Sequence, residues 1–308
     1  MQGALVVDLS RYLPGAFATR ELQRLGARVV RVEQPGGDPM RLTASEWHDE
    51  LNAGKESVIC ALPEDAAFAR ALMAQADVVL ESFRPGVASR LGVGPEHAPR
   101  RCVYCSITGF GVGTEQEQTA GHDLNYLGWA GVLEHTAPSL PPVQAADLAA
   151  GALGAVTEIL AALLRREQTG EGAHVVVSMA HGSYPLAAGA RVLTDGYACY
   201  SIYACADGRQ LTVAALEPRF FARLCELLER PELAERQYEP DQAALRAELA
   251  ATLAQRRMAD WLALFRGEDV CVGPVATRAE AAAFAPPARG AAPALGEHTA
   301  RWREAVGA

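Results

Sequence analysis

Three residues able to move protons stand in short segments otherwise made of small or apolar residues: His122 in GHDLNYLGWAGVL, Asp147 in AADLAAGALGAV and Glu217 in VAALEPRFF. An imidazole and two carboxylates in such settings suit proton traffic at a carbon acid inside a partly dry pocket. Each has a plain structural alternative. A histidine beside Gly121 and Asp123 is commonly a loop residue bonded to its neighbours. Asp147 precedes an apolar helical run and would serve as an N-cap. Glu217 precedes Pro218, the pattern of a helix start with proline in its first position. Asp123 is read as orienting the backbone or solvated, not as a base.

The elements that must position these groups are legible from periodicity. Residues 4–8 form an apolar run ending in a polar residue, then comes a loop with Pro14 and Gly15, a helical pattern through Leu22 and Leu25, and a second strand over 28–33. Strand, helix, strand in this order starts a parallel α/β sheet. A helix over about 64–76, the strand ADVVLES and a strand over 102–107 extend it, and a long apolar helix over 149–166 leads through QTGEGA to the strand HVVVSM. Beyond Pro185 come strands over 200–206 and 210–215, then helices over 219–228, 241–255 and 258–265. The stretch Ala282 to Ala288 reads as a linker.

Composition bounds the function. The chain has 308 residues, 50% of them hydrophobic, with a net charge of -9, which gives no general basic surface for nucleic acid. An anionic ligand therefore needs local positive charge. Seven cysteines, an odd number scattered through apolar surroundings, fit reduced thiols. The start lacks a basic segment followed by a long apolar run, and no stretch is read as a membrane span, so a cytoplasmic protein without membrane insertion is expected. Glu33 ends the second strand as in a dinucleotide site, but the first turn lacks G-x-G-x-x-G and nicotinamide is set aside. Cys102 and Cys105 have C-x-x-C spacing within a strand, where residues three apart face opposite ways, so no metal is expected. Residues Gly109 to Gly113 lack the Lys-Ser/Thr of a P-loop and read as a turn near the site.

The segments VVDLSRYLPGAFATRELQRLGARVVRVEQPGGDPMR, LNAGKESV, ADVVLESFRPGVASRLGVG and ITGFGVG run on to GHDLNYLGWAGVL, AADLAAGALGAVTEILAALLRREQTGEGAHVVVSM, YACADGRQLTVAALEPRFF and APALGEHT. In this order, over nearly the whole chain, they resemble the α-methylacyl-CoA racemase branch of the family III CoA-transferases, also called CaiB/BaiF. The resemblance implies an α/β fold: a Rossmann-like parallel-sheet large domain, a smaller α+β domain and an interlocked homodimer. It divides the chain into residues 1–184 (large, CoA-binding), 185–200 (linker), 201–285 (small) and 286–308 (return to the large domain).

What the resemblance implies chemically is epimerisation at the carbon beside a CoA thioester, by 1,1-proton transfer through an enolate. His122 and Asp147 are then the acid/base pair, and Glu217, contributed by the other subunit, holds the imidazole's tautomer and charge. Arg31, Lys55, Arg84 and Arg90 match positions of phosphate or adenine contacts, Arg and Lys supplying the donors that phosphates need. Tyr126 is placed along the pantetheine channel. The partner is an acyl-CoA thioester, with no cofactor beyond its CoA moiety. Two other readings share the resemblance. In a family III CoA-transferase, Asp147 is a nucleophile that attacks the thioester and forms an acyl anhydride. In a non-catalytic CoA-binding paralogue, the shortened stretches near 41–52, 133–142 and the C-terminal third have reshaped the pocket, and ICALPED lacks a lysine usual near Leu62. The His122 and Glu217 pairing, and Leu13 where transferases often carry Gln, favour the racemase.

Overall fold

The computed structural model describes residues 1–134, 136–187, 189, 193–194, 196–285 and 290–308. The chain divides into two compact units, Met1–Ala187 with Ala288–Ala308, and Ala188–Pro287. Of the expected linker Ala282 to Ala288, the first residues belong to a 3-10 helix, Glu280–Phe284, and 286–288 lie outside the described residues, as do 188, 190–192 and 195 of the expected connector.

The first unit is built on six parallel strands, β1 (Leu5–Asp8), β2 (Arg28–Glu33), β3 (Glu56–Ile59), β4 (Val78–Glu81), β5 (Val103–Thr108) and β6 (Ala173–Ser178), in the order 3-2-1-4-5-6. Runs such as VVLE and VYCSIT are buried along their whole length, as a parallel sheet covered on both faces requires. Between the strands run α1 (Tyr12–Arg24), α2 (Met40–Thr43), α3 (Ser45–Asn52), α4 (Ala66–Met73), α5 (Val87–Arg90) and α6 (Asp123–Trp129). A π-helix, Ala146–Leu153, continues into α7 (Gly154–Thr169), and α8 (Met179–Ser183) follows β6. The core lies on both faces of the sheet: Leu22, Ile107 and Ile159 belong to one layer and Phe68, Leu72 and Tyr104 to the other.

The continuous helix Ala146–Thr169 has 24 residues and is apolar enough to span a membrane by length and composition, contrary to the expectation that no segment is. Its Ala146, Ala152, Ala155 and Ile159 are buried in the layer packed on the sheet, which accounts for the apolar run. Cys102 and Cys105 fall in the opposite layers, as strand alternation demands.

The C-terminal helix α12 (Thr299–Val306) and the turn before it cover the outer edge of β3. The Ile59 N–H donates to Thr299 Oγ1 at 2.9 Å, and the His298 N–H to the Ser57 carbonyl at 2.9 Å. Trp302 is buried there and its indole N–H donates to Glu56 at 2.6 Å. A sheet edge is thus closed by α12 of the same chain.

The second unit is a three-stranded antiparallel sheet, β7 (Tyr200–Ala204), β8 (Gln210–Ala214) and β9 (Val272–Pro274), in the order 7-8-9. Helices α9 (Pro218–Leu227), α10 (Gln242–Leu253) and α11 (Met258–Leu264) enclose its core of Phe221, Leu224, Leu249 and Trp261.

Candidate active site

In an open α/β sheet the loops at the carboxyl ends of two strands diverge where the strand order reverses, and ligands bind in the crevice between them. Here that point lies between β1 and β4. A cleft of about 460 Å³ opens there, lined after β1 by Arg11, Tyr12 and Pro14, after β4 by Ser82, Phe83 and Arg84, and after β5 by Gly109. Its remaining wall includes His122, Asn125, Tyr126 and Asp147, so the structure brings the first two candidate proton carriers to one cavity.

His122 is the N-cap of α6, with extended backbone, and its own N–H donates to Asn125 Oδ1 at 3.1 Å. That bond fixes the backbone from which the exposed imidazole projects. The His122 and Tyr12 rings meet edge to face, with centroids 6.4 Å apart. Tyr12 has φ +62°, a left-handed conformation costly for a bulky residue and found where surroundings enforce it. Its N–H donates to Asp38 Oδ2 at 3.1 Å, and the same oxygen accepts from Arg31 at 2.7 Å.

Asp147 is not an N-cap. The helix begins one residue earlier and Ala145 holds the capping position, so Asp147 lies in the first turn of the π-helix. Such turns, with their wider i→i+5 bonding, are frequent at functional sites. The N–H of Asp147 is one of the donors that a helix start leaves without an intrahelical partner. It donates to Asp123 Oδ1 at 2.8 Å, and the Ala146 amide faces the same carboxylate. Burial, and then the charge of Asp123, push the Asp147 carboxyl up to about 7. Burial also raises Asp123 against the pull of those two amides. Of the two expectations for Asp123, solvation is overturned, since it is 3% exposed, and it does orient backbone, holding the start of the helix that bears Asp147.

Tyr126 is buried with its hydroxyl donating to the Gly121 carbonyl at 2.5 Å. Its ring lies so close to Gly109 that a Cβ there would sit 2.7 Å from a ring carbon. The glycine after β5 is therefore what admits Tyr126 to the wall. Burial and the neighbouring Asp147 charge push the phenol up to about 12.

The four basic candidates separate by burial. Arg84 lines the cleft and is exposed; Arg90 is exposed at the end of α5, outside the cleft lining. Arg31, 1% exposed, bonds Asp38 at 2.7 Å and Asn52 at 2.6 Å inside the fold. Lys55 is also buried, and its ammonium donates to the Ala16 carbonyl, Thr19 Oγ1 and Asn52 Oδ1 at 2.8–2.9 Å, which uses all three donors. Burial, followed by the Arg31 charge, pushes the Lys55 pKa well down. Neither is presented to a ligand: sequence shows their charge, but burial among polar partners gives them a structural task. Arg31 reaches the site indirectly, through Asp38 and the backbone of Tyr12.

Glu217 lies in the second unit as the exposed N-cap of α9, with Pro218 at the first helical position.

Residues 1–293 match CoA-transferase family III. The chain belongs to this family. Among its relatives, the human α-methylacyl-CoA racemase is 35% identical over 304 residues, covering 90% of this chain and 78% of that protein. The acetyl-CoA:oxalate CoA-transferase of Acetobacter aceti is 32% identical over 326 residues, covering 91% and 82%. The crystal structure of a CaiB/BaiF family protein from Brucella suis superposes with a TM-score of 0.83 at 28% identity, over 99% of this chain and 98% of that one. Family III members with racemase and transferase names thus stand at similar distances.

Within this family III chain, sequence reasoning missed Arg11 and Tyr12. Both follow β1 at the point where strand order reverses, and that position was the available signal. Backbone orientation was one of the two readings open for Asp123, but its partner was not legible, because the bond to Asp147 spans 24 residues and exists only in the fold.

Proposed function

We propose that this protein is an acyl-CoA racemase of the α-methylacyl-CoA type, acting on CoA thioesters with an acidic α-carbon. The observation that carries the reading is that an imidazole, His122, and a carboxyl raised to about 7, Asp147, line one cleft. Inverting an α-carbon requires one group to remove a proton and another to return one on the opposite face. A carboxyl titrating near neutrality can serve in either form, and His122 is a second carrier of the right type on a separate element. CoA is bound through its phosphates by exposed arginines, with Arg84 and Arg11 at the cleft and Arg90 beyond it. The working form is a homodimer in which Glu217 of one subunit orients His122 of the other.

Family relatives with transferase names at 32% and 30% identity support a second reading, in which Asp147 attacks the thioester. Covalent trapping separates the two. Incubated with an acyl-CoA and hydroxylamine, a transferase loses activity as hydroxylamine attacks the Asp147 carbonyl of the acyl-aspartyl anhydride, releasing the acyl group as free carboxylate and leaving a hydroxamate at Asp147. The racemase reading predicts an unmodified Asp147 by peptide mass spectrometry, and interconversion of (R)- and (S)-2-methylacyl-CoA from either side. Hydroxamate at Asp147 without interconversion contradicts it.

A further inference from the structure

The proposed reaction asks Asp147 to accept a proton in one direction and to donate one in the other. An ordinary solvated aspartate does the second badly near neutral pH, because it is almost wholly ionised. Asp123 is the group set against it. It is the first residue of α6, directly after His122, yet its side chain turns away from solvent to take the Asp147 N–H at 2.8 Å. One carboxylate thereby ties the element bearing the imidazole to the element bearing the reacting carboxyl.

We propose that Asp123 is a positioning residue for Asp147: it anchors the first turn of the π-helix and sets a second carboxylate beside the reacting one, so that Asp147 can donate as well as accept a proton. The inference rests on the proton-transfer reading above and adds to it a residue that is not among those lining the cleft. Burial disfavours the ionised form of Asp147, and the neighbouring Asp123 charge acts in the same sense. The other titratable and charged groups around Asp147 are His122 and Tyr126 on α6, Tyr12 on α1 with Arg11 before it, and Arg84 and Glu117 from cleft loops. His181, on α8 packed against the π-helix, lines a different cavity. Of these groups, Asp123 is the carboxylate bonded to the Asp147 backbone.

Asp123→Asn separates charge from anchoring, since its amide oxygen still accepts the Asp147 N–H; Asp123→Ala removes both. In the full-length protein, the Asp147 carboxyl is titrated by carbon NMR, assigned by its loss in Asp147→Asn, alongside the pH profile of α-proton exchange. In Asp123→Asn, Asp147 is expected to bind its proton about tenfold more weakly, a fall of about one pH unit, with the matching limb of the kcat profile displaced equally and KM little changed. Asp123→Ala is expected to lose about a hundredfold in kcat; if it does not fold, Asp123→Asn decides alone. An unmoved titration and profile in Asp123→Asn overturn the proposal, even if the variant is less stable. Absence of exchange in the wild type overturns the racemase reading instead, and the carboxyl titration still judges Asp123.

Discussion

At the scale of single residues, the site combines groups whose chemistry is set by burial. His122 projects from a helix start into the cleft, so His122→Ala removes a proton carrier without opening the core. Exchange at the α-carbon is expected to fall by about 10²–10⁴ with the circular dichroism spectrum unchanged. Glu81, outside the cleft, gives a pH dependence of stability. It is 5% exposed at the end of β4, burial pushes its carboxyl up to about 7 from an ordinary value of 4.5, and it accepts the Phe83 N–H at 2.6 Å. The folded protein therefore holds a proton on Glu81 that the unfolded chain has released. The stabilisation is complete below about pH 4.5 and is lost as pH rises through about 7. Asp147 contributes in the same sense. Glu81→Gln keeps the acceptor for Phe83 and is expected to flatten the fall of the urea midpoint between pH 5 and 8; an unchanged slope would assign that fall elsewhere.

At the scale of elements, the parallel strands were legible because both faces of the sheet are covered, which leaves runs such as VVRVE and VVLES with few alternatives. β3 was not read: it is four residues long, ESVI, with a charged residue at one end and its register supplied by β2. The start of the long helix was placed three residues late, since apolar periodicity does not distinguish a π turn from the α-helix it joins. The charges of Arg31 and Lys55 were legible and their burial was not, because burial is a property of what α1 and α3 bring over them. The edge of β3 also depends on a distant segment. Trp302, 5% exposed, fills the layer beneath α4 and bonds Glu56, so Trp302→Ala is expected to cost about 3–5 kcal/mol in urea denaturation. A loss below about 1 kcal/mol would mean that α12 is not a structural part of the first unit.

At the scale of the whole molecule, the candidate groups are distributed over two units of one chain: His122, Asp123 and Asp147 in the first, Glu217 in the second. The proposed homodimer makes this division testable by complementation. Co-expressed with different tags and purified as a mixed dimer, His122→Ala and Glu217→Ala chains are expected to regain roughly half of wild-type exchange. One of the two sites then combines an intact His122 with an intact Glu217; no recovery would place both groups of each site on one chain. The cleft at the reversal of strand order is where the fold puts a ligand, and the residues in it decide the reaction. The most direct test is proton NMR of the intact protein with a 2-methylacyl-CoA in deuterated water, with and without a free carboxylic acid. The account predicts loss of the α-proton signal without the acid, from either enantiomer. A persistent α-proton, with a new thioester formed only when the acid is present, would contradict it and identify a CoA-transferase.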